Sequence, residues 1–243
     1  MKKAIIIIST LLFLAGLGVL LYPLIRTTAF QQAEKETIRR FEEYRSSEPE
    51  PTDPADNSVC PDSEKSFPEL WDACVAYNED LKTKQQTSFT AQAWEQPPVC
   101  LSDYGWEQEV FGYISIPSAD IEAPIYLGGS MANLDQGAAI LGQTSMPIGG
   151  EGTHCVIAGH RTWNAILHPF VGLEKVQPGD LVCLTNPWET LTYRVTEVEI
   201  IFPDDSEKIL IQKGRDLLSV FTCTYPNTRR VLVTCERIQK EET

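Results

Sequence analysis

Residues 217–233 read LLSVFTCTYPNTRRVLV, and this stretch is the clearest sign of how the second half of the chain folds. Two short apolar runs, rich in β-branched and aromatic residues, flank a polar segment that contains Pro226 and Asn227. Such runs are typical of strands, and such polar segments are typical of turns. An antiparallel hairpin would place Cys223, at the end of the first run, opposite Arg230, at the start of the second.

The same pattern of short apolar runs separated by turn residues extends back to Val110. It predicts strands at 110–116, 121–126, 154–158, 181–185, 190–202, 216–223 and 230–238. The alternation slips once within 190–202, which predicts a long strand with a bulge, and one helical turn is expected at 164–173. Many short strands without regular helices between them favour a closed or nearly closed β-barrel over a doubly wound sheet. We therefore predict a mainly β fold with short helices.

The first 26 residues carry a long apolar segment. No charge occurs between Lys3 and Arg26, and residues 4–22 are nearly all aliphatic or Phe. At ~1.5 Å per residue such a segment matches a hydrocarbon core of about 30 Å, so we predict a transmembrane anchor at 1–26. The alternative is a signal peptide cleaved near residues 27–29. The lysines before the segment predict a cytoplasmic N-terminus, with the rest of the chain outside the cell.

The segment between the anchor and the strands, residues 27–109, alternates helical spacing with polar stretches. It divides into an exposed or juxtamembrane helix at 30–46, a linker at 47–66, a helix at 67–82 and a loop at 83–109. The strand region then covers 110–238, and a polar tail follows at 239–243.

Composition excludes several function classes. The formal net charge of −14 argues against a nucleic-acid partner, because phosphates require basic residues. The sequence lacks Cys-x-x-Cys and paired-His spacings, so we expect no zinc site. The seven cysteines are an odd number, which leaves at least one thiol unpaired and makes a reactive cysteine worth considering.

Three residues form a candidate catalytic set. His160 follows the apolar run at 154–158, and the end of a strand at a barrel rim is accessible to a ligand. A permanently charged guanidinium such as that of Arg230 favours the thiolate of a neighbouring cysteine and can stabilise an oxyanion. The alternative is a structural His160, a core Cys223 and a surface Arg230, and the spacing alone leaves both interpretations open.

A resemblance to a known family favours the catalytic interpretation. The motifs that carry it are GYISIP at 112–117, PIY at 124–126, GQTSMPIGG at 142–150, THCVIAGHR at 153–161, TCT at 222–224 and NTRRVLV at 227–233. In this order they resemble the catalytic domain of class C sortases over about residues 110–238. The resemblance implies a sortase β-barrel in which His160, Cys223 and Arg230 are catalytic.

The resemblance also implies a reaction, one that needs no metal and no organic cofactor. Cys223 would attack a Thr-Gly bond in the C-terminal sorting signal of an exported surface or pilin protein. Arg230 and backbone N–H groups near Thr222, the expected substrate-binding residue, would stabilise the oxyanion. His160 would protonate the leaving amine and then deprotonate the acceptor amine, which in class C enzymes is usually a pilin lysine.

Class C sortases have an N-terminal lid whose aromatic residue covers the active-site cysteine, and Trp94 is the matching residue here. We further expect Cys100 to pair with Cys60, or otherwise with Cys74, in a bridge that encloses the lid and contributes about 3–4 kcal/mol. Three free thiols are the alternative.

The sequence departs from the class C pattern in three respects. The loop between Cys223 and Arg230 is shorter, the Asp-Pro of the lid motif is missing, and no second apolar span follows the strand region. Two other functions therefore stay open. One is a sortase that anchors proteins to a peptidoglycan precursor, and the other is a non-enzymatic, membrane-anchored β-barrel binding module.

Overall fold

The predicted strands are present, and eight of the ten strands found among the described residues close into a barrel. The computed structural model describes residues 2–47, 66–84, 86, 91–163, 166–224, 226 and 228–238. The strands are β1 Val110–Ile116, β2 Ile121–Leu127, β3 Ala138–Ile140, β4 Thr153–Gly159, β5 Thr162–Trp163, β6 Ile166–Leu167, β7 Leu181–Thr185, β8 Thr190–Ile201, β9 Asp216–Cys223 and β10 Arg230–Arg237. The α-helices are α1 Lys2–Ser47, α2 Pro68–Lys84, α3 Ala91–Glu95 and α4 Met131–Leu134.

The barrel has the strand order β1-β2-β3-β4-β9-β10-β8-β7, while β5 and β6 form a separate two-stranded sheet. The pairs β2–β3 and β4–β9 are parallel and the others are antiparallel. Alternate residues of each strand point inward, and their aliphatic side chains, such as Ile114, Ile157 and Val220, are fully buried. The closed β-barrel that the sequence predicts is confirmed.

The predicted bulge lies in β8. Thr234 of β10 pairs with Glu197, but the next residue, Cys235, pairs with Val195, so Thr196 is the extra residue. Its hydroxyl donates to the carbonyl of Thr234 at 3.1 Å. A bulge increases the local twist of a long strand, which helps a sheet to close on itself.

Three strands and two α-helices, α3 and α4, escaped prediction. β3 has three residues, all buried, so it shows no alternation between apolar and polar positions. β5 and β6 have two residues each. The loop predicted at 83–109 contains α3 and a 3₁₀ helix at Leu101–Tyr104, so that prediction is wrong in part.

The region predicted at 164–173 as a helical turn contains β6 and then a 3₁₀ helix at Pro169–Lys175. The helical turn is therefore present but lies further along the chain. Residues 164 and 165 are outside the described residues, as are residues 48–65 of the predicted linker and 239–243 of the predicted tail.

Helix α1 is continuous for 46 residues and joins the predicted anchor to the barrel. Its N-terminal part is exposed and is long and apolar enough to cross a membrane. Its C-terminal part packs on the barrel, where Phe41 is fully buried with its ring 5.8 Å from that of Trp106. The helix predicted at 30–46 is thus the C-terminal part of α1, and it is packed against the barrel rather than exposed.

Helix α2 buries the face that its sequence spacing predicts: Leu70, Cys74, Asn78 and Leu81. The Asn78 amide donates to the carbonyl of Met146 at 3.2 Å and accepts from its backbone N–H at 2.7 Å. These two bonds satisfy a buried polar side chain and fix α2 against the segment before β4.

Of the two disulfide pairings expected for Cys100, the one with Cys74 lies within the described residues. Cys74 and Cys100 are both free thiols, so the pairing of Cys100 with Cys74 is wrong. Cys74 is buried in the contact face of α2, whereas Cys100 is exposed, so the two thiols occupy different environments. Cys60 lies outside the described residues.

Candidate active site

The barrel topology brings His160 and Cys223 to the same edge. Strands β4 and β9 are parallel neighbours, and the last residues that pair between them are Ala158 and Phe221. His160 and Cys223 each lie two residues beyond that pair. Because parallel strands end at the same edge of a sheet, the imidazole and the thiol meet at the barrel rim.

A glycine before His160 makes room for the element that packs beneath it. A Cβ atom at Gly159 would lie 2.5 Å from the ring of Phe170, in the 3₁₀ helix at Pro169–Lys175. Glycine therefore allows the aromatic ring to pack directly on the end of β4. This contact fixes the backbone from which the His160 side chain projects.

The hairpin of β9 and β10 places Cys223 directly opposite Arg230, as the sequence predicts. Both side chains are partly buried and line one groove, which also contains His160. Arg229 is exposed, and its guanidinium lies 4.8 Å from the ring centroid of Phe202. Of the two adjacent arginines, Arg230 is the one that lines the groove beside the thiol.

Cys223 also differs in its exposure from three buried thiols, one in α2 and two in the barrel. Burial raises the pKa of Cys74 and of Cys235 to about 12, and it raises the pKa of Cys155 as well. Such thiols stay protonated and unreactive. Cys223 is half-buried and accessible from the groove.

Thr222 has a structural contact that sequence reasoning did not foresee. Its side chain is buried, and its hydroxyl donates to the carbonyl of Gly159 at 2.8 Å. The bond ties the strand that carries the thiol to the strand that carries the imidazole. The Thr222 side chain is not part of the lining of that groove.

The groove has a volume of about 470 Å³ and is mostly apolar. Its walls include Met131, Leu134, Leu141, Ile201, Phe202, Pro203, Ile209 and Leu232. Apolar walls with a few converging polar groups are typical of binding sites. The three candidate catalytic side chains are among these polar groups.

Trp94 lies on one wall of this groove, held there by α3. Its carbonyl accepts hydrogen bonds from the backbone N–H groups of Gly129, at 2.8 Å, and Gly142, at 3.0 Å. A Cβ atom at Gly142 would lie 2.2 Å from the carbonyl oxygen of Ala93, so glycine is required for this close approach. A helix of five residues is thus held in place by tertiary contacts rather than by its own stability.

The environment of His160 sets its charge. Nε2 of His160 lies 3.7 Å from a carboxylate oxygen of Asp135, the residue that follows α4. Burial lowers the pKa of His160 and the Asp135 carboxylate partly opposes this effect. The imidazole is therefore mostly neutral at pH 7 and can accept a proton. Asp135 was not predicted, because it lies far from His160 along the chain and in no recognisable motif.

The described residues include no group of three or more His, Cys, Asp and Glu side chains that could hold a metal ion.

A comparison with known protein families matches the part of the chain that carries this site. A sequence model of the Sortase domain matches residues 114–238, more than half of the chain, and this segment contains all three residues. The chain belongs to the sortase family. Sortase A of Streptococcus agalactiae serotype III (strain NEM316) is 30% identical over 131 residues, which is 52% of each chain. The matched region thus spans about half the length of that relative.

Solved structures of sortases C share the fold with this sortase. Sortase C of Streptococcus pneumoniae superposes with a TM-score of 0.67 and 31% identity, over 86% of this chain and 99% of that chain. A lid mutant of Streptococcus agalactiae sortase C1 superposes with a TM-score of 0.62 and 29% identity, over 72% of this chain and 91% of that chain. These similarities support the class C resemblance.

Proposed function

We propose that this sortase is a cysteine transpeptidase that cleaves a Thr-Gly bond in a sorting signal and transfers the acyl group to an amine. The observation that carries the proposal is the convergence of His160, Cys223 and Arg230 in one groove at the barrel rim. Cys223 is the nucleophile, His160 the general acid–base and Arg230 the oxyanion donor.

The acylation step uses the neutral form of His160. The imidazole accepts the thiol proton of Cys223, and the sulfur attacks the Thr carbonyl carbon. The guanidinium of Arg230 and backbone N–H groups near Thr222 donate hydrogen bonds to the oxyanion. His160 then gives its proton to the leaving glycine amine as the peptide bond breaks, which leaves a thioester on Cys223.

The second step regenerates the enzyme. An acceptor amine attacks the thioester carbonyl, and His160 takes a proton from the nitrogen. The carbon–sulfur bond breaks, the sulfur of Cys223 recovers a proton, and a new amide bond joins the substrate to the acceptor. No redox chemistry is involved, and atoms and charges balance over the two steps.

The acceptor is proposed to be a pilin lysine. The structure of Streptococcus pneumoniae sortase C is described as informative on pilin substrate specificity, and that protein shares the fold of this chain. The test incubates the protein with a Thr-Gly sorting peptide and, separately, a lysine-bearing pilin domain or a peptidoglycan-like amine. Preferential formation of the isopeptide-linked pilin supports the proposal. Preference for the peptidoglycan-like amine would instead indicate an anchoring sortase.

The location is proposed to be the outer face of the cell membrane, with the apolar part of α1 as a single span and the N-terminus in the cytoplasm. The exposed apolar side chains of that part of α1 support this arrangement, since they would otherwise contact water. Protease treatment of intact cells is expected to digest the barrel and leave the N-terminus protected.

Of the two adjacent arginines, only Arg230 lines the groove, so only Arg230 is expected to contribute to the rate. Arg230→Lys removes the planar fork of donors beside Cys223, so we expect the rate to fall by about 10²-fold or more. Arg229→Lys is the matched control, since that side chain stacks on Phe202, and its rate should change little. A peptide-cleavage assay measures both variants. The opposite ranking would contradict the role given to Arg230.

Trp94 is proposed to cover Cys223 as a lid, on the same wall of the groove. A related sortase C1 is described through a lid mutant, which supports the presence of such an element here. Trp94→Ala should increase the rate at which a thiol reagent labels Cys223 several-fold. Trp188 does not line the groove, so Trp188→Ala is the control. An unchanged labelling rate in Trp94→Ala would exclude the lid role.

A further inference from the structure

Three aromatic rings form a row from the membrane-anchoring helix to the proposed general acid–base. The ring of Phe30 in α1 lies 4.4 Å from that of His168, at an interplanar angle of 57°. The ring of His168 lies 5.6 Å from that of His160, at 73°. The second distance is within the range of favourable aromatic contacts, and the first is at its short limit.

His168 is well suited to be the middle ring. It is 2% exposed, and its backbone N–H donates to the carbonyl of Arg161 at 3.1 Å, which fixes its position directly before the 3₁₀ helix. Burial and a charge on His160, partly opposed by the Asp135 carboxylate, together lower the pKa of His168 to about 4. At pH 7 His168 is therefore neutral and does not compete with His160 for protons.

We infer that His168 is a positioning residue for His160, and that Phe30 holds His168 in place. The inference rests on the proposed role of His160. His168 covers one side of the imidazole, restricts its orientation and excludes water from it. Because Phe30 belongs to the same continuous helix as the apolar segment, the membrane-anchoring helix contributes to the geometry of the active site.

The other groups around His160 stay in place when His168 is changed. Asp135 lies beside Nε2, and Glu95, Asp205, Cys223 and Arg230 line the same groove. A smaller side chain at position 168 would admit water to one side of His160. The burial that lowers the pKa of His160 would then weaken while the attraction to the Asp135 carboxylate would remain, so the pKa of His160 should rise.

The test is a histidine NMR titration of the full chain in detergent micelles, which is simple because the sequence has three histidines. In His168→Asn we expect the pKa of His160 to rise by about 0.5 or more. In His168→Phe, which keeps a ring of similar size, the pKa should stay unchanged. Phe30→Ala should also raise the pKa of His160, and Phe30→Leu should raise it by a smaller amount.

His154 is the matched control. It is also buried with its pKa lowered to about 4, but it lies near the opposite end of β4, bonded to the Leu210 carbonyl and the Ser219 hydroxyl. His154→Asn should lower the melting temperature without moving the titration of His160. With the sorting peptide, His168→Asn should lower kcat by about tenfold with little change in KM, and His168→Phe should restore it.

Two results would overturn the inference. One is a His160 titration that is the same in wild type, His168→Asn and Phe30→Ala. The other is an equal rise of the His160 pKa in His168→Asn and His168→Phe, since the ring contact would then not be its cause. The NMR measurement is independent of turnover. Titrations that behave as expected in a protein without transpeptidase activity would therefore contradict the proposed function and leave the ring contact intact.

Discussion

Replacing Cys223 with Ala will abolish transpeptidation, with a loss of at least about 10⁴-fold in rate, and will leave the barrel folded. Alanine has no nucleophilic atom, so the thioester cannot form. The side chain is only half-buried at the end of β9, so its truncation should change the free energy of unfolding by no more than about 1 kcal/mol. Peptide–amine ligation and thermal unfolding of the full chain measure the two effects.

Cys183 provides the matched control for this substitution. It is also a free, half-buried thiol in a barrel strand, but it pairs with Ser115 and Thr192 and does not line the groove. Cys183→Ala should keep the wild-type rate. A Cys223→Ala protein that still joins peptide to amine, or a comparable loss in Cys183→Ala, would refute the assignment of the nucleophile.

Replacing His160 with Ala is expected to have the second-largest effect, a loss of about 10³-fold in kcat/KM. The imidazole is the group placed to accept the thiol proton and deliver it to the leaving amine. Its loss should leave Cys223 available to a thiol reagent, so labelling separates a missing acid–base from a collapsed site. A His160→Ala rate within tenfold of wild type would remove His160 from the mechanism.

The pH dependence follows from the direction of the His160 pKa. Burial lowers this pKa below its usual value of about 6.5. The neutral form, which accepts the thiol proton, is therefore present at pH 7 and is lost as the pH falls through the lowered pKa. We expect kcat/KM to fall on the acid side below about pH 6.5, and an acid limb above that value would contradict a buried, neutral His160.

The hairpin and the pairing of Cys223 with Arg230 could be predicted because the information is local. The two apolar runs around Pro226 specify strands and a turn, and the strand alternation then determines that Cys223 faces Arg230. His160 lies near this pair because β4 and β9 are parallel neighbours in the barrel, although the two strands are far apart in the chain. The family resemblance supplied that information, since the spacing of the residues could not.

The missed features depend on tertiary contacts. α3 is five residues long and is held by hydrogen bonds from the backbone of Gly129 and Gly142. So short a helix shows no apolar periodicity in the sequence. Asp135 and His168 reach His160 from separate loops, and neither lies in a motif. Short elements and long-range side-chain contacts of this kind carry no local sequence signal.

The most direct test of the proposed chemistry is the mass of the enzyme during turnover. The full chain is incubated with a Thr-Gly sorting peptide without an acceptor amine. The masses of the intact protein and of its proteolytic peptides are then measured by mass spectrometry. The expected result is one added acyl group, located on Cys223, that hydroxylamine releases and that is absent from Cys223→Ala. Peptide cleavage with the acyl group on another residue, or an identical adduct in Cys223→Ala, would contradict the assignment.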